Sequence, residues 1–478
     1  MDKPFIQLFK TPNAWYFYDA NTSEIIPISR ESYKYLCAVA TCPDSSEHTK
    51  PQELVELEKQ GYLSCESRVA EIRHPYSEHL ELFLKRKIAK ITLQLTQSCN
   101  FRCKYCIYSE DKNARQRSHS SKHMSWETAK KAIDFLWEHS VDSKSINIGF
   151  YGGEPLLEFP LLQRIVDYSK ERFIGKKLTF AMTTNGSLLT DDIIHYLENH
   201  RVTLLISIDG PKEINDRNRV FADGSGTYDT VAKQIHRIKE IAPEYAKDLS
   251  ISMVIDPEND FDCINTICLD DSDFSSLNIS TSTIDREYDK KTTQVTEEYS
   301  MKAEYQRFLS VLSHYGRYPR DSVSPIALRL MQSTISDSNK VEGMAKLHYT
   351  DAPSGPCIPG QMRLFVNVDE QLFPCERVSE RSSATCLGTL DNGFDFKKTY
   401  EVLNIGQLTE DKCMNCWCIR HCSLCAKKAD DGAGSLSADE KLSYCDEAKR
   451  RAYRKIKEHI FLQEAPQYYP QQIRLSDS

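Results

Sequence analysis

Six apolar runs, separated by stretches of helical period, organise the middle of the chain. They are KITLQLTQ (90–97), SINIGFYG (145–152), LTFAMTTN (178–185), VTLLISID (202–209), LSISMVID (249–256) and LNISTSTI (277–284). Helical patterns such as WETAKKAIDFLWEH (126–139), FPLLQRIVDYSKERF (159–173) and YDTVAKQIHRIKEI (228–241) lie between them. Strands alternating with helices predict an α/β fold whose parallel strands are joined by right-handed crossovers. Six units are too few to close an eight-strand barrel, so residues 89–320 read as a curved, partial (β/α)6 barrel with its chemistry at the C-terminal ends of the strands.

The flanks have other patterns. FIQLFKTPNAWYFYDANTSEIIPIS alternates apolar and polar residues around Thr11-Pro12-Asn13 and Asp19-Ala20-Asn21, which predicts a short antiparallel sheet. Helical periods come next in SRESYKYLCAVA and PQELVELEKQGYL, the second closed by Gly61. Residues 1–66 therefore read as one small unit and 67–88 as a linker. Beyond the barrel, 321–356 reads as a bridging helical region, 357–450 as a Cys-rich domain and 451–478 as a tail. The polar run KNARQRSHSSKH (112–123) is expected to be an exposed, mobile loop.

Composition narrows the class. A chain of 478 residues exceeds one compact core and suggests roughly two or three domains. With 61 Lys+Arg against 69 Asp+Glu and no long block of one sign, neither a nucleic acid nor a membrane surface is the expected partner. The first twenty residues lack a basic region followed by an apolar run, and no stretch of about eighteen apolar residues occurs, so a cytoplasmic protein is expected. Seventeen cysteines are then too many for a reducing compartment to use as disulfides, and metal or catalysis must explain most of them. Cys37, Cys42, Cys65, Cys263 and Cys268 are scattered and read as small buried hydrophobes. The rest are grouped.

Cys99, Cys103 and Cys106 form C-x3-C-x2-C just past the first barrel strand. Three thiolates with no fourth leave one iron of a 4Fe-4S cluster open, whereas tetrahedral zinc and electron-carrying clusters normally take four protein ligands. A zinc loop or three buried thiols is the alternative. About fifty residues on, Gly149-Phe150-Tyr151-Gly152-Gly153-Glu154-Pro155 ends the second strand with a turn that no packing argument requires, its glycines permitting close approach to a ligand. The third and fourth strands end in Thr183-Thr184-Asn185-Gly186 and Ser207-Ile208-Asp209-Gly210. Together these motifs resemble the radical S-adenosylmethionine (SAM) superfamily, whose fold is a partial TIM-like barrel. The resemblance implies that Gly152, Gly153, Glu154 and Pro155 meet the methionine amine, that Asn185, Ser207 and Asp209 meet ribose and carboxylate, that Arg219 pairs with a carboxylate, and that Tyr105 meets the adenine. It also implies reductive cleavage of S-adenosylmethionine to a 5′-deoxyadenosyl radical that removes a hydrogen atom, with electrons from a flavodoxin- or ferredoxin-type reductant.

The later cysteines, Cys357, Cys375, Cys413, Cys416, Cys422, Cys425 and Cys445, resemble the SPASM extension, which binds two auxiliary clusters in enzymes acting on peptides and brings the total to three 4Fe-4S clusters. The resemblance assigns Cys413, Cys416, Cys422 and Cys445 to an outer cluster and Cys357, Cys375 and Cys425 to an inner one. MRLFVNVDEQLFP, between Cys357 and Cys375, reads as a hairpin turning at Asp369-Glu370-Gln371, with Glu370 or Gln371 where the family has glycine. Cys386 and Cys418 are extra: either completes the inner cluster, or its site stays open for a substrate thiolate. The N-terminal unit resembles the winged-helix, PqqD-like domain that holds a leader peptide as an added strand. These resemblances imply a maturase forming thioethers in a Cys-rich precursor peptide. The runner-up is an anaerobic sulfatase-maturing enzyme, in which Glu376 after Cys375 acts as base. A non-catalytic iron-sulfur or zinc scaffold is the alternative of another class.

Overall fold

The computed structural model describes residues 3–41, 49–108, 115–269, 274, 277–284 and 294–468. Strands β1 (Ile6–Lys10), β2 (Trp15–Asp19) and β3 (Glu24–Ile28) form an antiparallel sheet in which Phe9 faces Tyr16 and Phe17 faces Ile26. Because side chains alternate between faces, Phe17 and Ile28 pack on Leu36, Val39 and Leu54 of the helices Arg30–Thr41 and Gln52–Lys59. Phe9, Tyr16 and Tyr18 point the other way, onto Ile456 and Ile460. Those isoleucines belong to the helix Cys445–Tyr468, so the segment expected as a tail is helical as far as it is described. Glu464 on this helix accepts hydrogen bonds from the Tyr16 and Thr11 hydroxyls at 2.6 and 2.9 Å. The expected linker is also structured: it holds β4 (Glu71–Ile72) and the helix Leu80–Arg86, whose Leu80 and Leu84 join the main core.

The six predicted barrel strands all form: β5 (Lys90–Thr96), β6 (Ser145–Gly152), β7 (Lys177–Thr184), β8 (Thr203–Ser207), β9 (Ser250–Ile255) and β10 (Asn278–Thr283). They are parallel neighbours in chain order. The sheet does not stop there. After β11 (Thr350–Asp351), which pairs with β4, β12 (Leu364–Val366) adds in parallel beside β5. Then β13 (Gln371–Phe373), β14 (Gly388–Thr389) and β15 (Gly393–Phe394) add on antiparallel, giving ten strands in one sheet. The Cys-rich region is thus continuous with the barrel through backbone hydrogen bonds.

The hairpin β12–β13 turns through Glu370 at φ +63°, a left-handed conformation that glycine adopts more readily. The glutamate is held there by the Thr128 hydroxyl at 3.0 Å and Lys131 Nζ at 2.7 Å. The run 112–123 differs from expectation where it is described. Gln116 and Arg117 are buried. Gln116 Nε2 donates to the Val378 carbonyl at 2.8 Å, Arg117 Nε donates to Glu380 at 2.7 Å, and the guanidinium lies 4.0 Å from the Tyr108 ring centre. Polar residues here stitch the cysteine loop to the C-terminal region. Of the scattered cysteines, Cys65 and Cys263 are exposed rather than buried and Cys37 is half-buried. Cys263 lies on the outward side of the helix Phe261–Leu269, opposite Ile264 and Phe261 in the core. Cys42 and the Cys268 side chain lie outside the described residues.

Ile456→Ala should destabilise the protein by about 2–4 kcal/mol in urea unfolding, because the site is sealed between sheet and helix. Ile174→Ala, at a position 84% exposed, should leave the midpoint unchanged.

Candidate active site at the strand ends

Strand β5 leaves the sheet with a register shift between Gln94 and Thr96 against β6, and such a bulge re-aims the chain beyond it. The bulge delivers the chain directly into the cysteine loop. Cys99, Cys103 and Cys106 line one cavity of about 270 Å3 with Tyr105, Gly152, Gly153, Asn185, Ser207 and Arg219. None of the three is in a disulfide, and burial pushes Cys99 up to about 11 and Cys103 up to about 12. Binding iron therefore means giving up protons. The Phe101 amide donates toward Cys99 Sγ at 3.4 Å and Asn185 Nδ2 at 3.9 Å, the kind of contact that stabilises a metal-bound thiolate. Across the cavity the loop pairs with the segment carrying Arg219: Arg102 N donates to Val220 O at 2.7 Å and Lys104 N to Asn218 O at 2.9 Å.

The glycine pair has a packing reason, contrary to expectation. At Gly152, φ +144°, a Cβ would sit 2.3 Å from the Thr96 carbonyl oxygen; at Gly153 it would sit 2.0 Å from that of Ser98. The turn lies flat on the cysteine loop, with Gly153 N and Glu154 N donating to Thr96 O and Ser98 O at 2.8 and 2.9 Å. Glu154, expected against the cofactor amine, is buried away from the cavity. Its carboxylate accepts from the Leu156 amide at 3.0 Å, the Thr184 hydroxyl at 2.6 Å and the Asn185 amide at 2.7 Å. Burial raises its pKa against those three donors. Pro155 opens the short helix Pro155–Glu158 and fixes the exit of the turn.

Asp209, expected at the ribose, is likewise spent on protein. Its Oδ1 accepts from Val254 N at 3.0 Å and its Oδ2 from the Tyr105 hydroxyl at 2.5 Å. Arg219 Nη1 donates to the same hydroxyl at 2.8 Å. Tyr105 thus presents its ring to the cavity with its hydroxyl taken. Arg219 Nε and the Tyr108 hydroxyl, both on side chains that line the cavity, are buried without a hydrogen-bond partner. Three reduced thiols beside two buried donors without a hydrogen-bond partner fit an iron-sulfur cluster with an anionic ligand. Val254, Ser282 and Thr283 at the ends of β9 and β10, and Tyr108 and Tyr151, also line the cavity but were not singled out from the sequence. The Ser-Thr tip of the sixth apolar run was the available signal for two of them.

The C-terminal cysteines fall into two groups. Cys413, Cys416, Cys422 and Cys445 line a second cavity, of about 530 Å3, together with Cys418. Cys418 lies against Cys416 and holds its thiol below the usual range, so this extra cysteine sits with the outer set. Cys375, pushed up to about 11 by burial, feels the charges of Glu376, Cys425 and Cys357, which forms the inner set. Cys386 packs with Cys375 and Tyr151 around Phe365 and Phe373, its own sulfur 3.5 Å from the Gly388 carbonyl. Glu376 is ion-paired to Arg363 at 3.0 Å. Among the described residues no three such side chains converge as tightly as a single metal ion requires.

Gly153→Ala should part the turn from the cysteine loop. After anaerobic iron reconstitution it should lose the iron held at Cys99, Cys103 and Cys106, counted by metal analysis. Glu154→Gln, which turns an amide toward the Asn185 N–H or the Leu156 N–H, should cost about 1–3 kcal/mol in thermal unfolding.

Residues 93–267 match the radical SAM superfamily model. A radical SAM cyclopropyl synthase, TigE, of Paramaledivibacter caminithermalis is 30% identical over 177 residues, which cover 34% of this chain and 37% of that protein. A cysteine-type anaerobic sulfatase-maturating enzyme of Clostridium perfringens is 21% identical over 389 residues, covering 77% of this chain and 94% of the relative. The chain spans less than half the length of the first curated relatives it matches. The solved structure of native anSMEcpe with bound AdoMet superposes with a TM-score of 0.55 at 18% identity, covers 78% of this chain and 98% of its own, and has the same fold. The cysteine loop at the end of the first barrel strand and the glycine turn laid on it both fall within residues 93–267, the segment that matches the radical SAM superfamily model.

Proposed function

We propose that the chain is a maturase that joins a cysteine sulfur to a carbon of another residue in a Cys-rich, ribosomally made precursor peptide. The observation that carries this reading is the inner trio Cys357, Cys375 and Cys425, whose Cys375 packs in one cluster with Tyr151 of the first cavity. Three protein thiolates leave one position of a four-iron cluster for a soft ligand, and a peptide thiolate suits it. With S-adenosylmethionine and its cluster bound at Cys99, Cys103 and Cys106, the first cavity supplies a 5′-deoxyadenosyl radical. Asn185, Ser207, Arg219 and the Gly152–Gly153 backbone would orient the cofactor, and Tyr108 and Tyr151 would wall the cavity from water. Glu376, held by Arg363 beside Cys375, would receive the thiol proton. The net change removes one C–H hydrogen and one S–H proton from the peptide, releases one electron to an auxiliary cluster and forms one C–S bond.

A peptide substrate is supported by the related fold of anSMEcpe, whose structure was solved with AdoMet and the Kp18Cys peptide. A sulfatase-maturing activity is the second reading, favoured by the 94% coverage of the Clostridium perfringens enzyme. Against it stands the N-terminal three-stranded unit, where β3 pairs only with β2 among the described residues and leaves an edge for a leader strand.

The reconstituted protein, given cofactor, reductant and a Cys-rich precursor, should lower the peptide mass by two hydrogens per thioether; an unchanged mass sinks the proposal. A precursor lacking its leader should go unprocessed, and equal processing favours the sulfatase-type reading. Cys103→Ala should abolish cofactor cleavage while keeping the C-terminal iron, and a wild type that never cleaves cofactor points to a scaffold. Cys386→Ala should keep the full iron content, because the inner site is read as open.

A further inference from the structure

Lys441, in the helix Ala438–Ser443, is among the most buried side chains of the protein, 1% exposed. An ammonium group leaves water at a heavy cost unless a negative group receives it. Its Nζ donates to the Thr409 hydroxyl at 2.5 Å and to Cys413 Sγ at 3.3 Å, and the same hydroxyl lies 3.2 Å from that sulfur. Asp411 and Asp446 line the same cavity, yet no ion pair among the described residues joins either to Lys441. A cysteine sulfur takes the place of a carboxylate. The lysine touches Cys413 and lines the same cavity as Cys416, Cys422 and Cys445. A cation buried against one cysteine sulfur, in a cavity lined by three more, is uncompensated unless the cavity holds an anion.

We propose that Lys441 is the built-in counter-charge of an anionic iron-sulfur cluster held by Cys413, Cys416, Cys422 and Cys445, and that it raises that cluster's reduction potential. The inference rests on the reading of those four cysteines as the outer ligand set. A four-iron cluster with four thiolates is negative in both redox states and gains one further negative charge on reduction. A fixed cation with an N–H directed at a ligand sulfur therefore stabilises the reduced form more than the oxidised form. Thr409 is the positioning residue: its hydroxyl holds Nζ against Cys413. The outer cluster would thus accept the electron released by peptide chemistry more readily than four bare thiolates allow.

The test uses the full-length chain reconstituted anaerobically, with iron counted and each cluster's midpoint followed by electron paramagnetic resonance in a redox titration. Cys413→Ala identifies the outer cluster by the signal it removes. Lys441→Gln should shift that signal's midpoint to more negative potential and leave the other clusters unmoved, and Lys441→Arg should restore most of the shift. An unmoved midpoint in Lys441→Gln, with the outer signal present, overturns the proposal. If Lys441→Gln loses the outer iron while Lys441→Arg keeps it, the counter-charge role stands. If Lys441→Met keeps both iron and midpoint, charge is irrelevant and the proposal falls. A Cys413→Ala protein with unchanged iron and spectra overturns the outer ligand set itself, a failure distinguishable from that of Lys441.

Discussion

The site depends on two stretches of backbone lying in contact with no side chain between them. Gly152 and Gly153 bring the end of β6 onto Thr96–Ser98, where any Cβ would meet a carbonyl oxygen. That contact fixes the cysteine loop from below. From the same turn Glu154 reaches the end of β7, and Asn185 there reaches back to Asn100 at 2.8 Å and to Cys99. Three strand ends are tied in a ring of main-chain and carboxylate hydrogen bonds. Residues that carry the family motif therefore act largely on one another, and the surfaces they leave facing the cavity are ring, backbone and thiol.

A second set of contacts joins this ring to the Cys-rich region. Arg117 and Glu380 form an ion pair with side chains 8% and 3% exposed, and Gln94 Nε2 donates to the same carboxylate at 2.7 Å. Gln94 also meets the carboxylate, the Tyr108 ring lies beside the guanidinium, and Gln116 Oε1 holds the backbone by accepting from the Glu380 and Arg117 amides. With β12 hydrogen-bonded along β5, the first cavity and the inner cysteines share one sheet. Their separation is set by strand spacing, about 4.8 Å per strand, and not by a linker.

Much of this was legible in the amino-acid sequence. Apolar residues recur at alternate positions in β5 and in β9, and all six strands emerged within a few residues of their observed bounds. The cysteine sets emerged because their spacing along the chain groups them. The hidden part was non-local. Nothing in Leu364–Val366 announces that it will pair with Ile91–Leu93, more than 250 residues earlier. Gln116 and Arg117 look like surface until Val378 and Glu380 are beside them. Glu154 and Asp209 look like ligand contacts because carboxylates at strand ends often are, and only the positions of Asn185, Thr184, Tyr105 and Val254 reveal that protein donors claim them first. Ile456 and Ile460 sit among charged residues and give no hint that the first sheet needs them.

That last helix begins at Cys445, which lines the outer cavity, and about three turns later its Ile456 closes the open face of the N-terminal sheet. One rigid rod therefore has a sulfur at one end and a domain interface along its length. Whatever immobilises Cys445 also aligns the surface on which β1 and β2 come to rest. Assembly then has an order: the sheet of β1 and β2 finds its seat only once the helix Cys445–Tyr468, far along the chain, has formed.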